Sequence, residues 1–241
     1  MSRLTVAHLG PTSYRDGLAL QEALVGARAA GATSDWLLYP DHPPVLTVGR
    51  SGSGESLKAD PETLRRLGIE VFEVARGGDF TWHGPGQLVG YVIADLTARG
   101  RDLHRFLRDL EASLIAALGE WGLAGQTVAG RAGVWVEGEK IASLGVAVRR
   151  WVSYHGFALN VAPDLSFFDL IHPCGLRGIH MTSLASRLGA DAPGLDRARE
   201  VVARHLAQTL GYRSVRWATA EDARREAWSG EAGSEATRAA S

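Results

Sequence analysis

The sequence predicts an α+β fold, with a mixed, mainly antiparallel sheet packed with helices. Three observations predict it. Segments with strand alternation and segments with helical period are interleaved along most of the chain. Some neighbouring strands are separated only by short turns, rather than by the crossovers that strictly parallel sheets need. Hydrophobic residues make up 45% of the 241 and charged residues 22%, a balance with ample apolar surface for a core.

The elements follow in order. Leu4 to Leu9 reads as a strand, and Ser13 to Ala30 as an amphipathic helix set by Leu18, Ala19, Glu22 and Val25. Asp35 to Tyr39 and Val45 to Val48 read as strands joined by the turn Asp41-His42-Pro43-Pro44. Asp60-Pro61-Glu62 opens a short helix, with a capping carboxylate and proline at the first position, and Gly68 stops it. Ile69 to Val74 alternates as a strand. A glycine-rich loop follows, then a strand from Leu88 to Ile93.

Asp102 to Trp121 carries Leu103, Phe106, Leu107, Leu110, Leu114 and Leu118, a helix-period stripe. Gly133 to Val136 and Lys140 to Val148 flank Glu137-Gly138-Glu139 as a hairpin, and Tyr154 to Val161 adds a third strand. Ala198 to Leu210 is helical and Ser214 to Trp217 a last short strand. The expected organisation is one catalytic domain over residues 1–218. After it comes a tail, 219–241, with a short helix and then, from about Ser229, a disordered end of Ala, Gly, Ser and Glu without periodicity.

The formal net charge of -1 gives no electrostatic footprint for nucleic acid or an anionic membrane. No apolar run approaches the ~20 residues that span a bilayer, and Met1 to Gly10 lacks the pattern of a signal peptide. A cytoplasmic protein is expected. The one cysteine cannot form an intramolecular disulfide, and it excludes a zinc site built from several thiolates. Of the 26 basic residues only Lys58 and Lys140 are lysines. Arginine cannot lose its proton in a protein, whereas a buried lysine can.

Three segments look unlike ordinary connections. The first runs Arg76-Gly77-Gly78-Asp79-Phe80-Thr81-Trp82-His83-Gly84-Pro85-Gly86-Gln87. Its glycines let a ligand approach the main chain, and its length and composition exceed what a hairpin connection needs. It lacks both nucleotide-loop spacings, as does the lookalike Gly49 to Gly54. The second is Lys140-Ile141-Ala142-Ser143-Leu144-Gly145, continued by His155-Gly156-Phe157-Ala158-Leu159-Asn160-Val161. The third is Ile171-His172-Pro173-Cys174-Gly175-Leu176. A free cysteine is ordinarily a small buried hydrophobe; here proline and glycine set it on a turn, where a thiol is an oxidation liability. His83, His155, His172 and His180 lie on separate segments without metal-ligand spacing, so no metal is expected.

Together these segments resemble the octanoyltransferases of lipoate biosynthesis. The family pattern R-G-G-x-x-T-aromatic-H-x-x-G-Q is matched from Arg76 to Gln87, with its tyrosine at Tyr91. K-I-A-x-x-G is matched at Lys140 to Gly145, H-G-x-A-L-N-V at His155 to Val161, P-C-G at Pro173 to Gly175, and T-S-L at Thr182 to Leu184. Order and spacing agree over about residues 4 to 215. Val92 stands where the family often has proline.

The resemblance implies a fold like the catalytic domain of biotin and lipoate protein ligases. It implies transfer of an octanoyl group from octanoyl-acyl carrier protein to a lysine of lipoyl domains, those of the 2-oxoacid dehydrogenase complexes and the glycine cleavage H protein. It assigns Cys174 as the acyl-thioester nucleophile and Lys140 as the group that lowers its pKa. Arg76, Gly77, Gly78, Asp79, Phe80, Thr81, Trp82 and His83 would line the acyl pocket, with Ser143, Leu144 and Gly145, and Gly156, Phe157 and Ala158. No cofactor is implied, because the donor is already a thioester and needs no ATP.

The chemistry accounts for the residue types. A free cysteine at pKa ~8.5 is only a few per cent thiolate at neutral pH, and an adjacent ammonium raises that fraction. A lysine can also take the proton of the incoming amine, which at pKa ~10.4 arrives mostly protonated. An ATP-dependent lipoate or biotin-type ligase on the same fold, a non-catalytic acyl-binding protein and a thioesterase are the alternatives. They are separated by ATP dependence, by turnover and by product analysis.

Overall fold

The computed structural model describes residues 3–173 and 178–238, with side chains described through 229; Cys174 lies outside the described residues. The elements begin with β1 (Arg3–Pro11), α1 (Tyr14–Ala29), β2 (Asp35–Asp41), β3 (Val45–Val48), α2 (Pro61–Leu67) and β4 (Glu70–Glu73). Then come β5 (Phe80–His83), β6 (Gln87–Ile93), α3 (Leu103–Gly119), β7 (Gln126–Val128), β8 (Arg131–Val136), β9 (Glu139–Arg149) and β10 (Val152–Asn160). The chain closes with α4 (Leu184–Leu188), α5 (Leu195–Thr209), β11 (Ser214–Ala218) and α6 (Ala220–Arg238).

Local sequence sets the boundaries. Ser13, Asp60 and Asp102 each accept a main-chain N–H from the first turn of the helix that follows, at 3.1, 2.7 and 2.8 Å. Gly68, at φ +66°, ends α2 in the left-handed conformation that a side chain disfavours. Glu137 and Gly138 both have positive φ, as the tight turn between β8 and β9 requires.

Eight strands form one sheet in the order β11-β1-β2-β6-β10-β9-β8-β7. β1 runs parallel to both β11 and β2, and every other pair is antiparallel. The predicted mixed, mainly antiparallel sheet is therefore present. Alternation divides its side chains between two cores. Leu37 and Tyr39 of β2 join Leu110 and Leu114 of α3 and Val202 and Leu206 of α5 on one face. Trp36 and Leu38 join Leu20 and Leu24 of α1 and Ala223 and Ala227 of α6 on the other.

A second sheet, β4-β3-β5, pairs β3 parallel to β4 and antiparallel to β5. Its own cluster contains Leu46, Phe80 and Trp82, with Leu64 of α2 and Phe168 and Ile171. β2 and β3 are thus not a hairpin; the Asp41–Pro44 connection carries the chain from one sheet to the other. The glycine-rich segment is not all loop either. Residues 80–83 form β5, because Phe80, Trp82 and their alternating neighbours have β3 to pair with. At the other end the helix after β11 continues to Arg238, in a stretch whose Ala, Glu and Arg favour helix without any apolar period. No helix among the described residues is long and apolar enough to cross a membrane.

Candidate active site

Glycines on adjacent strands open the large sheet. β9 and β10 pair Gly145 with Gly156 and Ser143 with Ala158, all on the face that carries Ala147 and Tyr154. A Cβ on Gly156 would lie 2.3 Å from the Gly90 carbonyl oxygen of β6, and one on Gly145 would lie 3.0 Å from the Gly77 carbonyl oxygen. Main chains therefore approach where side chains would otherwise fill the space. Over this gap lies the small sheet, and between the two is a narrow cavity of about 40 Å³. Thr81 and His83 of β5, Arg76, Gly78 and Asp79 border it on one side. Val89, Tyr91, Ser143, Gly145, Gly156 and Ala158 border it on the other, and Tyr14 of α1 reaches in. The lining is mostly apolar in area, as an alkyl chain requires.

The Arg76–Asp79 segment is fixed by its own polar groups. The Arg76 guanidinium donates through Nη2 to the carbonyl and hydroxyl oxygens of Thr47, both at 2.7 Å, and through Nη1 to the Gly77 carbonyl at 3.0 Å. Asp79 Oδ1 accepts from the Phe80 amide at 2.7 Å and its Oδ2 accepts from the Ser56 hydroxyl. The Gly77 amide donates to the Val146 carbonyl at 3.1 Å, tying the segment to β9.

Not every predicted pocket residue faces the cavity. Alternation along β5 sends Trp82 the other way, into the cluster under α2, where it stacks on Phe167 with ring centroids 5.0 Å apart. Leu144 and Phe157 flank the cavity but belong to the core shared with α3 and α5. Gly77 lies further out, in a wider opening shared with Gly78, Asp79, Leu144 and Gly145 and bounded by Ala132, Leu107 and His172.

Lys140 is fully buried, and Ala132, whose carbonyl accepts from its ammonium, borders that opening. Its Nζ donates to the Ala132 carbonyl at 2.9 Å and lies 5.6 Å from the centre of the Trp135 ring. Its main chain is held by the 180–182 segment: the Lys140 amide donates to the His180 carbonyl and its carbonyl accepts from the Thr182 amide, both at 2.9 Å. A buried lysine stem packed in this way is not the solvated hairpin lysine that position alone would suggest. His172 and Pro173, the described residues before Cys174, follow an anchored point, where the His172 amide donates to the Ser56 carbonyl at 2.7 Å.

Behind the cavity runs a buried polar chain. His83 Nδ1 donates to Gln87 Oε1 at 2.7 Å, Gln87 Nε2 to Asn160 Oδ1 at 2.9 Å, and Asn160 Nδ2 to the Thr182 carbonyl at 3.0 Å. Each acceptor fixes the orientation of the next group, so the His83 tautomer is set with its Nε2 lone pair free of a proton. Burial drives the His83 pKa down to about 3, with positive Arg76 and the other histidines adding to it. His155 is lowered to about 3 as well, by burial first and Arg76 second. His42, also lowered by burial, donates from Nδ1 to the Thr12 carbonyl at 2.7 Å and accepts from the Tyr91 hydroxyl at 2.6 Å.

Tyr14, which the sequence did not single out, borders the cavity, and so does His155, named there in its motif but not assigned to the pocket. Burial raises the Tyr14 phenol to about 12. His155 holds φ at +57°, stabilised by its amide donating to Gln21 Oε1 at 2.8 Å; only its place in H-G-x-A-L-N-V hinted at a role. Among the described residues no group of three or more His, Cys, Asp or Glu side chains is arranged to hold a metal ion.

Comparison with known proteins decides the family. Residues 13–207 match the lipoyl protein ligase A/B catalytic domain. An octanoyltransferase of Geobacter sulfurreducens is 50% identical over 186 residues, 77% of this chain and 76% of that protein. The chain belongs to the octanoyltransferases of this family. As such it is an acyltransferase, and the fold agrees with that placement. A lipoate-protein ligase A crystallised with ATP superposes with a TM-score of 0.74 at 19% identity, covering 93% of each chain. The biotin protein ligase of Aquifex aeolicus superposes at 0.51 and 12% identity, covering 88% of this chain and 70% of that one.

Proposed function

We propose that the protein transfers an octanoyl group from octanoyl-acyl carrier protein, through a thioester on Cys174, to a lysine of lipoyl domains, the first step of endogenous protein lipoylation. The observation that carries this reading is Lys140, fully buried with its ammonium group on the carbonyl of Ala132, a residue that borders the wider opening. In this reading residues 1–218 are the catalytic domain, and the enzyme works in the cytoplasm with no cofactor.

Cys174 attacks as a thiolate, favoured by the Lys140 ammonium. The tetrahedral intermediate collapses, the C–S bond to the carrier breaks, and the departing thiolate takes a proton from Lys140. Neutral Lys140 then takes a proton from the ammonium of the incoming lysine. The freed amine attacks the acyl-enzyme, the Cys174 thiolate leaves, and the amide nitrogen loses its second proton to solvent. The slot holds the eight-carbon chain between Gly145, Gly156 and Ala158 on one side and Thr81 on the other. In this reading, lipoyl domains of the 2-oxoacid dehydrogenase complexes and of the glycine cleavage H protein are the acceptors.

Incubation with octanoyl-acyl carrier protein, without ATP, should add an octanoyl mass to the peptide containing Cys174, and addition of a lipoyl domain should discharge it. An active enzyme that never carries the adduct, or transfer that requires ATP, would refute the reading.

A further inference from the structure

We infer that Glu111 is a positioning residue for Lys140, acting through a single peptide unit. Glu111 lies on the buried face of α3 among Phe106, Leu110, Leu114 and Leu118, where an unused carboxylate would be costly. It is used: Oε1 accepts the Gly133 amide at 2.9 Å. The Gly133 N–H and the Ala132 C=O belong to the same peptide bond, and that carbonyl accepts Lys140 Nζ at 2.9 Å. Because a trans peptide is planar, with its N–H and C=O pointing in opposite directions, fixing one end aims the other. Glu111 therefore sets the direction of the oxygen that holds the Lys140 ammonium. The carboxylate also polarises the peptide, so that its carbonyl becomes a stronger acceptor.

The strand ladder around this peptide is irregular. Between β8 and β9 the register slips, with Val134 opposite Ala142 and Trp135 opposite Lys140, so Ile141 is an extra residue and the ladder is irregular just here. Gly133 has φ +139°, and a Cβ on it would lie 2.5 Å from Lys140 Cε and 2.7 Å from the Ala142 carbonyl oxygen. The lysine stem thus lies directly against the peptide that Glu111 holds. Reading from the helix inward, the order is carboxylate, peptide, ammonium.

The inference rests on the reading of Lys140 as the proton partner of Cys174. That reading is checked separately, by acyl-enzyme formation in the wild type and loss of transfer in Lys140→Ala. The test of Glu111 is Glu111→Leu, which fits an apolar helix face but leaves the Gly133 amide without its acceptor, beside Glu111→Gln, which keeps an oxygen in place. With octanoyl-acyl carrier protein and a lipoyl domain, Glu111→Leu should lower kcat on the order of tenfold or more, the worth of one hydrogen bond to a charged group. KM for the donor should stay within about twofold, since the acyl slot is untouched, and Glu111→Gln should recover most of the rate. A folded Glu111→Leu with wild-type kcat overturns the inference, as does a Gln variant as slow as the Leu variant. If Glu111→Leu does not fold, Glu111→Asp keeps the charge but withdraws the acceptor by one methylene. It should lose kcat in the same way, and wild-type turnover there overturns the inference equally.

Discussion

The Thr182 amide donates to the carbonyl oxygen of Lys140 at 2.9 Å, and the Thr182 carbonyl accepts from Asn160 Nδ2 at 3.0 Å. Thr182 is thereby the junction between the buried lysine and the polar chain that begins at His83. Its hydroxyl accepts from Arg187 Nε at 3.0 Å, and Arg187 also pairs with Glu137 and Glu139 at the turn leading into β9. Lys140 and the polar chain therefore rest on groups far from the cavity between the sheets.

Lys140→Arg keeps a positive charge beside the opening but cannot carry a proton. Alkylation of Cys174 near neutral pH should stay close to the wild-type rate. Octanoyl transfer should fall by about 100-fold or more, the usual weight of a general acid–base group. Measuring both rates on the same preparation checks this, and equal transfer by the two proteins would refute the proton-carrying role.

Gln87→Leu breaks the polar chain in its middle. It leaves the His83 Nδ1–H and Asn160 Oδ1 without their partner, at about 1–3 kcal/mol for each buried group. Urea unfolding should show a lower midpoint with an unchanged slope.

Gly156 and Gly77 should separate by what surrounds them. A Cβ on Gly156 meets the rigid Gly90 main chain at 2.3 Å, so Gly156→Ala should cost about 1–3 kcal/mol of stability. A Cβ on Gly77 has its nearest neighbour, the Val146 carbonyl oxygen, at 4.0 Å. Gly77→Ala should therefore melt close to the wild type, and any effect should appear in KM for the donor. Thermal melts and donor titrations of the two variants test the contrast.

His83 and His155, held to about 3 against an ordinary value of 6.5, make stability depend on pH. Between those values the unfolded chain binds protons that the native protein refuses, so stability rises with pH through the window. The contribution is complete above about pH 6.5 and is lost progressively as the pH falls toward 3. Melting temperature should drop from pH 7 to pH 5, and His83→Asn should flatten the slope. A variant with an unaltered slope would count against the buried neutral imidazole.

Much of the fold was legible because its signals are local. The Asp60-Pro61 start and Gly68 stop of α2 need only their own side chains, and the leucine stripe of α3 needs only its period. β5 was missed because Phe80 to His83 sit among glycines, and their strand conformation depends on pairing with β3, a partner more than thirty residues away. Trp82 was assigned to the pocket on its motif, yet its direction is decided by alternation along that hidden strand. Within the site, the lysine drew notice by its rarity. Glu111 and Gly133 did not, since a glutamate on a charged helix and a glycine in a strand look ordinary until the tertiary fold brings them together. The meeting of Lys140 with Cys174 stays a proposal grounded in family resemblance, as the thiol lies outside the described residues.

The cavity proposed to take the acyl chain is a seam between two sheets, with β5 as one lip and the β6–β10–β9 surface as the other. A hole drilled through one rigid layer has its bore set by the residues that line it. A seam has its width set by how the two layers are pinned, here by links such as the Gly77 amide on the Val146 carbonyl and by the aromatic bed under Trp82. With this seam as the proposed acyl slot, chain-length preference is expected to follow the alignment of the two sheets. Substitutions beneath Trp82 or along β3, which line none of that cavity, are therefore expected to shift the acyl group accepted along with changes at the cavity wall itself.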